Sequence, residues 1–198
     1  MINVCVIGNS HLAALKLGWD KLNEDNQTSQ ISMTFFGAAA NGLQNIEVVD
    51  NKLVPTTVNT KRALLFTSQG KDYINLIGFD AILLIGIDCD IGLIHEVLKI
   101  HQLTSMPNAE KNIMSEQCLS TIYIDKFRIE ENITFSLLSK IRSISQIPVL
   151  IIPQPFRSHS STLITGAWQD LNTKSCEALQ ICYYNGIKQA FKDFNITL

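Results

Sequence analysis

Three short glycine-containing segments of this 198-residue sequence carry the residues that could do chemistry. The first is Gly8-Asn9-Ser10-His11, which follows an apolar run and precedes a helical stripe of apolar residues. A serine hydroxyl at a helix N-terminus can act as a nucleophile, because free backbone N–H groups there stabilise an oxyanion. The same hydroxyl can instead cap the helix by accepting a hydrogen bond from its first turn. The spacing therefore predicts that Ser10 is either a nucleophile or a helix cap.

The other two segments also follow apolar runs. They are Gly37 to Gly42, within "GAAANG", and Gly86-Ile87-Asp88-Cys89, within "LLIGIDCD". In open α/β sheets, ligands bind outside the carboxyl ends of the strands. We therefore expect the three segments to meet at one edge of a sheet.

The elements that must position these segments alternate between strands and helices. This order predicts a single α/β domain over residues 1–198, with three α/β/α layers around a mostly parallel central sheet. The stretch 55–71 favours neither type of element, and the end of the chain has the pattern of a fifth strand. The predicted strands are 2–7, 31–36, 79–88 and the run after Pro148, with a hairpin at 46–54 that turns at Asp50-Asn51; the predicted helices are 11–22, 91–102, 114–124, 130–144 and 169–193.

Composition excludes several classes of function. A formal net charge of −2 with 17% charged residues gives no basic surface for nucleic acid. No apolar run is long enough for a membrane helix or an export signal, so we expect a cytoplasmic protein without membrane partners. The five cysteines are odd in number and form no C-x-x-C pair, which favours free thiols over disulfides or zinc. We expect no metal and no organic cofactor.

The first segment also resembles a known family. "VCVIGNSH" is similar to block I of the SGNH/GDSL hydrolases, in which a strand ends in Gly-Asp-Ser and the serine is the nucleophile; here Asn9 replaces the aspartate. Gly42 resembles the block II glycine, whose N–H joins the oxyanion hole, and Gly86-Ile87-Asp88-Cys89 resembles the Gly-x-Asn-Asp of block III. "IGNSHLAALK" and "PQP" also resemble SGNH-like proteins of bacterial polysaccharide clusters. The resemblance implies an SGNH-type, flavodoxin-like fold with Ser10 as nucleophile.

Block III departs from the family pattern. The family asparagine donates a hydrogen bond to the oxyanion, whereas an ionised Asp88 only accepts hydrogen bonds and would repel the developing charge. Either the amide of Asn9 replaces that donor, or the oxyanion hole has only the backbone N–H groups of Ser10 and Gly42.

The catalytic base is the larger departure. The family takes its base from a D-x-x-H segment near the C-terminus, and none of the four histidines here has Asp three residues earlier. The chain then either ends before its catalytic histidine or is a degenerate relative. His159, in "PQPFRSHSS" after the fourth strand, is the resident candidate for a substitute base. His11 is adjacent to Ser10 on a helical turn and points in a different direction, and His95 and His101 lack the spacing of a metal pair.

Three functions remain open at the level of sequence. The first is a serine esterase or acyltransferase acting on an O-acyl, acetylated carbohydrate. The second is an inactive SGNH-like domain that binds a saccharide or a protein partner. The third is a flavodoxin-like binding module, because that fold has the same layout. The acyl group, the alcohol, the direction of transfer and the oligomeric state do not follow from the sequence.

Overall fold

A computed structural model describes residues 1–25, 30–39, 41–87, 96–97, 100–104, 111–153 and 173–198, without the side chains of 173–176. Strands and helices alternate through the described residues, as the sequence predicts. The strands are β1 Ile2–Gly8, β2 Ile31–Gly37, β3 Ile46–Val49, β4 Lys52–Pro55, β5 Ala81–Ile85, β6 His101–Leu103, β7 Asn112–Met114, β8 Val149–Ile152 and β9 Ile196–Thr197. The helices are α1 His11–Glu24, α2 Val58–Thr67, α3 Glu116–Phe127, α4 Ile133–Ile144 and α5 Thr173–Ala190.

The central sheet has five strands in the order β2-β1-β5-β8-β9, and every neighbouring pair in it is parallel. Numbered within this sheet, the order is 2-1-3-4-5, which is the order of flavodoxin-like folds. The chain moves outward from β1 to β2 and then returns past β1 to β5. The predicted α/β class with a mostly parallel sheet is confirmed.

Helices cover both faces of the sheet. Leu12 and Trp19 of α1 pack against one face, on residues such as Val6 and Phe35. The larger core lies on the other face, where alternate strand residues such as Ile7 pack with the remaining helices. This two-sided burial explains the continuous apolar runs of the strands and agrees with three α/β/α layers. The described residues include no helix with the length and apolar content needed to cross a membrane.

The predicted hairpin at 46–54 is also confirmed. β3 and β4 pair antiparallel, and the turn residues Asp50 and Asn51 have φ angles of 49° and 57°. Two consecutive positive φ angles define the tight turn that Asp and Asn tolerate best after glycine. The stretch 55–71, for which the sequence favoured no element, contains α2. Thr57 begins this helix by accepting a hydrogen bond from the Thr60 amide at 3.2 Å.

One predicted helix is wrong at its C-terminal end. The apolar pattern predicted a helix over 91–102, but His101–Leu103 form β6, which pairs in parallel with β7. A short apolar run has the same periodicity in a buried strand as in a buried helix, so only the pairing with β7 decides between them. Residues 88–95 and 98–99 lie outside the described residues.

The short fifth strand of the sheet is held by an arginine. Arg142 of α4 donates hydrogen bonds to the carbonyl oxygens of Ile147, Phe194 and Asn195, at 2.7, 2.7 and 3.2 Å. Ile147 precedes β8 and the other two precede β9, so one guanidinium fixes the start of both strands. Burial lowers the pKa of this guanidinium from its ordinary value.

Candidate functional site

The predicted site lies where the direction of the sheet reverses. Gly8, the last residue of β1, is flanked by Gly37 of β2 and Ile85 of β5. β1 connects to β2 on one side and the chain later enters β5 on the other, so this is the switch point of the sheet, where ligands bind in open α/β sheets. We call the carboxyl ends of these strands the carboxyl edge. Ser10, one residue beyond the turn after β1, is exposed at this edge.

The Ser10 side chain does not cap α1. Ser10 has helical dihedral angles, φ −57° and ψ −26°, and its hydroxyl makes no capping hydrogen bond. The capping contact belongs to Asn9, whose Oδ1 accepts from the His11 amide at 3.1 Å. A residue in helical conformation cannot turn its own hydroxyl onto the first-turn amides as an extended N-cap residue does. The hydroxyl of Ser10 is therefore not used to begin the helix.

Asn9 connects the loops that follow β1 and β5. Its Nδ2 donates to the carbonyl oxygen of Gly86 at 2.5 Å while its Oδ1 holds the His11 amide. A carboxylate at position 9 could accept from His11 but could not donate to Gly86. This geometry gives a physical reason for asparagine, and not aspartate, at position 9. It also commits one amide hydrogen of Asn9 to the protein itself.

At two glycines, neighbouring atoms of the loops after β1 and β5 lie too close for a larger residue. A Cβ atom at Gly8 would lie 2.9 Å from the Ile85 carbonyl oxygen and 3.1 Å from Leu12 Cβ. Gly86 has a φ of 61°, and a Cβ atom there would lie 2.6 Å from Cδ2 of His11. The imidazole of His11 thus packs against Gly86, beside the contact made by Asn9. These two glycines let the β1 and β5 loops approach each other.

Gly42 begins a short 3-10 helix, Gly42–Gln44, beyond β2. Its N–H donates to the Ala39 carbonyl oxygen at 2.9 Å, and its own carbonyl accepts from the buried Thr60 hydroxyl at 3.0 Å. Both backbone polar groups of Gly42 therefore have partners within the protein. An oxyanion could use this N–H only in place of Ala39 or by sharing it. The role of Gly42 in an oxyanion hole stays a prediction.

Threonine hydroxyls, which sequence reasoning missed, hold the loops of this edge in place. Thr67 of α2 accepts from the Gly37 amide at 2.9 Å, and Thr60 holds Gly42. Thr134, fully buried in the first turn of α4, donates to the carbonyl oxygen of Ile87. The sequence contains one local signal for this set, the threonine pair three residues apart in "TTVNTK" that begins α2. The partners of the other hydroxyls are distant in sequence and could not be read from it.

The structure brings together Asn9, Ser10 and Gly86 of the predicted site. Asp88 and His159 lie outside the described residues, as do Cys89, His95, Arg157 and Trp168. His101 belongs to β6 and not to a helix. Within the described part of the chain, no group of three or more His, Cys, Asp and Glu residues is arranged to hold a metal ion.

Comparison with known proteins gives no relative. No protein-family model, no curated protein and no solved structure matches the chain.

Proposed function

We propose that the protein is an SGNH-like serine esterase or acyltransferase that acts on O-acylated, in particular acetylated, carbohydrate. The observation that carries this proposal is the state of Ser10: an exposed hydroxyl at the reversal point of a parallel sheet, free of the capping contact that Asn9 makes instead. Because Asn9 makes the capping contact, the Ser10 hydroxyl is left for another partner. The substrate class comes from the resemblance of "IGNSHLAALK" and "PQP" to proteins of polysaccharide clusters.

In the proposed reaction, the Ser10 oxygen attacks the ester carbonyl carbon and gives its proton to a general base. The tetrahedral intermediate collapses by breaking the bond to the sugar oxygen, which receives the proton. Water, or the hydroxyl of an acceptor, then attacks the acyl-enzyme, releases the acyl group and restores the serine. No metal or organic cofactor takes part in these steps.

The oxyanion of this intermediate would form beside the N-terminus of α1. The Ser10 N–H and the positive end of the helix dipole are the first sources of stabilisation. A second donor would be the Gly42 N–H after release from Ala39. Removing one such donor typically costs about 3–4 kcal/mol of transition-state stabilisation, so the proposed enzyme is slow when Gly42 remains bound to Ala39.

Cysteine chemistry supports the cytoplasmic location that forms part of this proposal. Cys5, Cys118 and Cys182 are free thiols, the first and last of them buried. Burial raises the pKa of both buried thiols, which keeps them in the unreactive protonated form. Free thiols persist in a reducing compartment.

The test is hydrolysis of p-nitrophenyl acetate by the protein expressed from its complete reading frame, compared with Ser10→Ala. We expect the variant to lose at least about a thousandfold in kcat, the range seen when a hydrolase loses its nucleophile. Ser139→Ala is the matched control, because this serine is exposed on α4 and its hydroxyl donates to the carbonyl oxygen of Phe135 in its own helix. Equal rates in the wild type and Ser10→Ala would overturn the proposal.

The proton acceptor is identified by two further variants, His11→Asn and His159→Asn. Loss of the fluorophosphonate labelling of Ser10 in one of them identifies that histidine as the base. Full labelling in both assigns the base to another residue of the complete protein. In each case Ser10 itself must remain the labelled position for the proposal to stand.

A second function is favoured by the contacts of Gly42. With its N–H on Ala39 and without a D-x-x-H in the sequence, the chain fits an inactive SGNH-like domain that binds a saccharide or a protein partner. This function predicts no labelling of Ser10 by fluorophosphonate together with saturable binding of an acetylated oligosaccharide. Stoichiometric labelling of Ser10 would rule it out.

A further inference from the structure

A cavity of about 470 Å³ opens at the opposite end of the sheet from Ser10. It lies where β1 and β2 begin, and we call this end the amino edge. Asn3 and Gly8 are separated by five residue steps of β1, so the cavity is about 17 Å from the Ser10 turn along the strand. Its volume falls in the range of roughly 300–1,000 Å³ that is typical of small-molecule sites.

Two sources of side chains line this amino-edge cavity. Asn3 of β1 and Ser32 and Thr34 of β2 form its floor. The segment 70–79, which leads into β5, forms its wall and contributes Lys71 and Asn75 among others. Asn3 is in register with Ser32, and Cys5 with Thr34, so the three floor residues share one face of the sheet.

Polar side chains on this face are unexpected. A parallel strand covered on both faces is normally apolar throughout, and the same face becomes apolar toward the carboxyl edge at Ile7 and Phe36. The hydroxyls of Ser32 and Thr34 are half-buried, and they make no hydrogen bond to any other residue that the structure describes. These floor hydroxyls therefore do not contribute to the structure in the way that the threonines of the carboxyl edge do.

The cavity also contains one available positive charge. The Lys71 ammonium lies 5.8 Å from the centre of the Phe79 ring. Burial raises the pKa of the Cys5 thiol, and the positive charge of Lys71 lowers it by a smaller amount. No carboxylate of the described residues lies within 4 Å of the Lys71 ammonium. The carboxylate of Asp72, also in the wall, is instead 2.9 Å from Lys61. An anionic group in the cavity would thus face Lys71 without displacing a protein carboxylate.

We propose that the amino-edge cavity binds a sugar acid, that is, a pyranose-sized polyol with one carboxylate. Lys71 would pair with the carboxylate. The hydroxyls of Ser32 and Thr34 and the amide of Asn3 both donate and accept hydrogen bonds, as sugar hydroxyls do. The rings of Tyr73 and Phe79 give the wall apolar surface for the carbon face of the ring. This inference does not depend on the reaction proposed for Ser10.

The test is titration of the complete protein with D-glucuronate, followed by calorimetry and by amide chemical shifts. We expect saturable binding with the largest shifts at Ser32, Thr34 and Asn75. Lys71→Met should weaken the affinity about tenfold, the loss of a hydrogen bond to a charged group, and Thr34→Val about threefold. Lys126→Met is the matched control, since it removes the same charge from an exposed position of α3, away from the cavity.

Four results would overturn the proposal. They are no saturable binding, equal affinity of wild type and Lys71→Met, shifts centred on Ser10, and acetate or D-glucose binding as tightly as glucuronate. Ser10→Ala must leave the affinity unchanged, so failure at this cavity and failure of the proposed esterase are distinguishable. Thermal unfolding of each variant shows that the fold is retained.

Discussion

The two ends of the central sheet use polar groups in opposite ways. At the carboxyl edge, the side chains of Asn9, Thr60 and Thr134 donate hydrogen bonds to backbone carbonyl oxygens of neighbouring loops. At the amino edge, Ser32 and Thr34 line a cavity. Their hydroxyls have no hydrogen-bond partner among the described residues. The half-buried hydroxyls of the amino edge are thus left for a partner in the cavity, whereas the polar atoms of the carboxyl edge are already paired.

The difference separates a region whose loops are fixed by hydrogen bonds from a region whose polar groups are left unpaired beside a cavity. A loop that holds an exposed serine in one orientation needs hydrogen bonds to the loops on both sides, because without them it samples many conformations. A cavity that takes a ligand needs unused donors and acceptors, since groups already paired within the protein have little left to offer. Matched substitutions at the two edges distinguish these two uses of polar and glycine residues.

The largest effect on stability is expected from Gly86→Ala at the carboxyl edge. The new Cβ atom would meet His11 at 2.6 Å, in a backbone with a φ of 61° that L-residues disfavour. Backbone strain and overpacking together should cost about 2–4 kcal/mol in the free energy of unfolding, measured in urea.

Gly78→Ala is the control for this substitution, at the amino edge. Gly78 has a φ of 88°, but nothing lies within 4 Å of its added Cβ atom. Only backbone strain remains there, so its expected cost is about 1–2 kcal/mol. If the two variants lose equal stability, the close packing of His11 on Gly86 does not hold the β1 and β5 loops together.

The second effect is expected from Asn9→Asp. The aspartate keeps the acceptor for the His11 amide but places a carboxylate oxygen against the Gly86 carbonyl, where Nδ2 now donates at 2.5 Å. Loss of this part-buried donor should cost about 1–3 kcal/mol in the free energy of unfolding and lower the rate of the proposed esterase together with stability.

Asn185→Asp adds the same charge at an exposed position of α5 and should leave the unfolding transition almost unchanged. A fully stable Asn9→Asp protein would contradict the role of Asn9 as the connection between the loops. It would also show that the contact with Gly86 does not require asparagine at position 9.

The sequence predicted most of the sheet because β1, β2, β5 and β8 are largely apolar runs that end at or just before a glycine or a proline. β1, β2 and β5 lie within one or a few residues of their predicted bounds, and the hairpin turn follows from Asp50-Asn51 alone. Helix α2 was not predicted, because exposed apolar residues such as Val58 and Phe66 and the buried polar Thr60 obscure its helical periodicity, and its cap, Thr57, is preceded by another threonine. β6 was taken for the end of a helix, since three residues carry no periodicity.

The candidate site could be located but not assembled from sequence. The strand-end rule places Ser10 at the carboxyl edge, and the structure agrees with that position. Sequence could not decide whether the Ser10 hydroxyl caps α1 or is free for chemistry, because serine favours the cap position and only its dihedral angles and contacts in the structure decide. The contact of Asn9 with Gly86 joins residues 77 positions apart and has no local signal.

A matched pair of threonines tests the comparison of the two edges directly. Thr60→Val removes the donor to the Gly42 carbonyl and the acceptor of the Thr57 hydroxyl, at a buried position. We expect a loss of about 1–2 kcal/mol in the free energy of unfolding. Thr34→Val removes a hydroxyl without a described partner and keeps a β-branched residue in the strand, so its expected change is within about 0.5 kcal/mol. Equal losses would show that the floor of the cavity is as firmly bonded as the carboxyl edge.

The smallest effect concerns the charge balance of the amino-edge cavity. The hydrogen bond from Lys61 is the main cause that lowers the pKa of the Asp72 carboxyl below its ordinary value. A lowered folded pKa means that this contact contributes stability above the unfolded pKa of Asp and loses it as the pH falls through the folded pKa. Asp72 is exposed enough for the contribution to be small. In Lys61→Met, a side-chain NMR titration should show the Asp72 pKa rising toward its ordinary value.

Lys61→Met also tests how the Lys61–Asp72 ion pair affects ligand binding. Without Lys61, the Asp72 carboxylate lies in the cavity wall with no cation of its own, and it can repel an anion held by Lys71 or attract the Lys71 ammonium. Either route weakens D-glucuronate binding at neutral pH, and the weakening should disappear as Asp72 is protonated below its pKa. If the affinity of Lys61→Met equals that of the wild type while the pKa of Asp72 has risen, the carboxylate of the ligand does not lie near Lys71. That result would leave the floor hydroxyls, and no charge, as the basis of recognition.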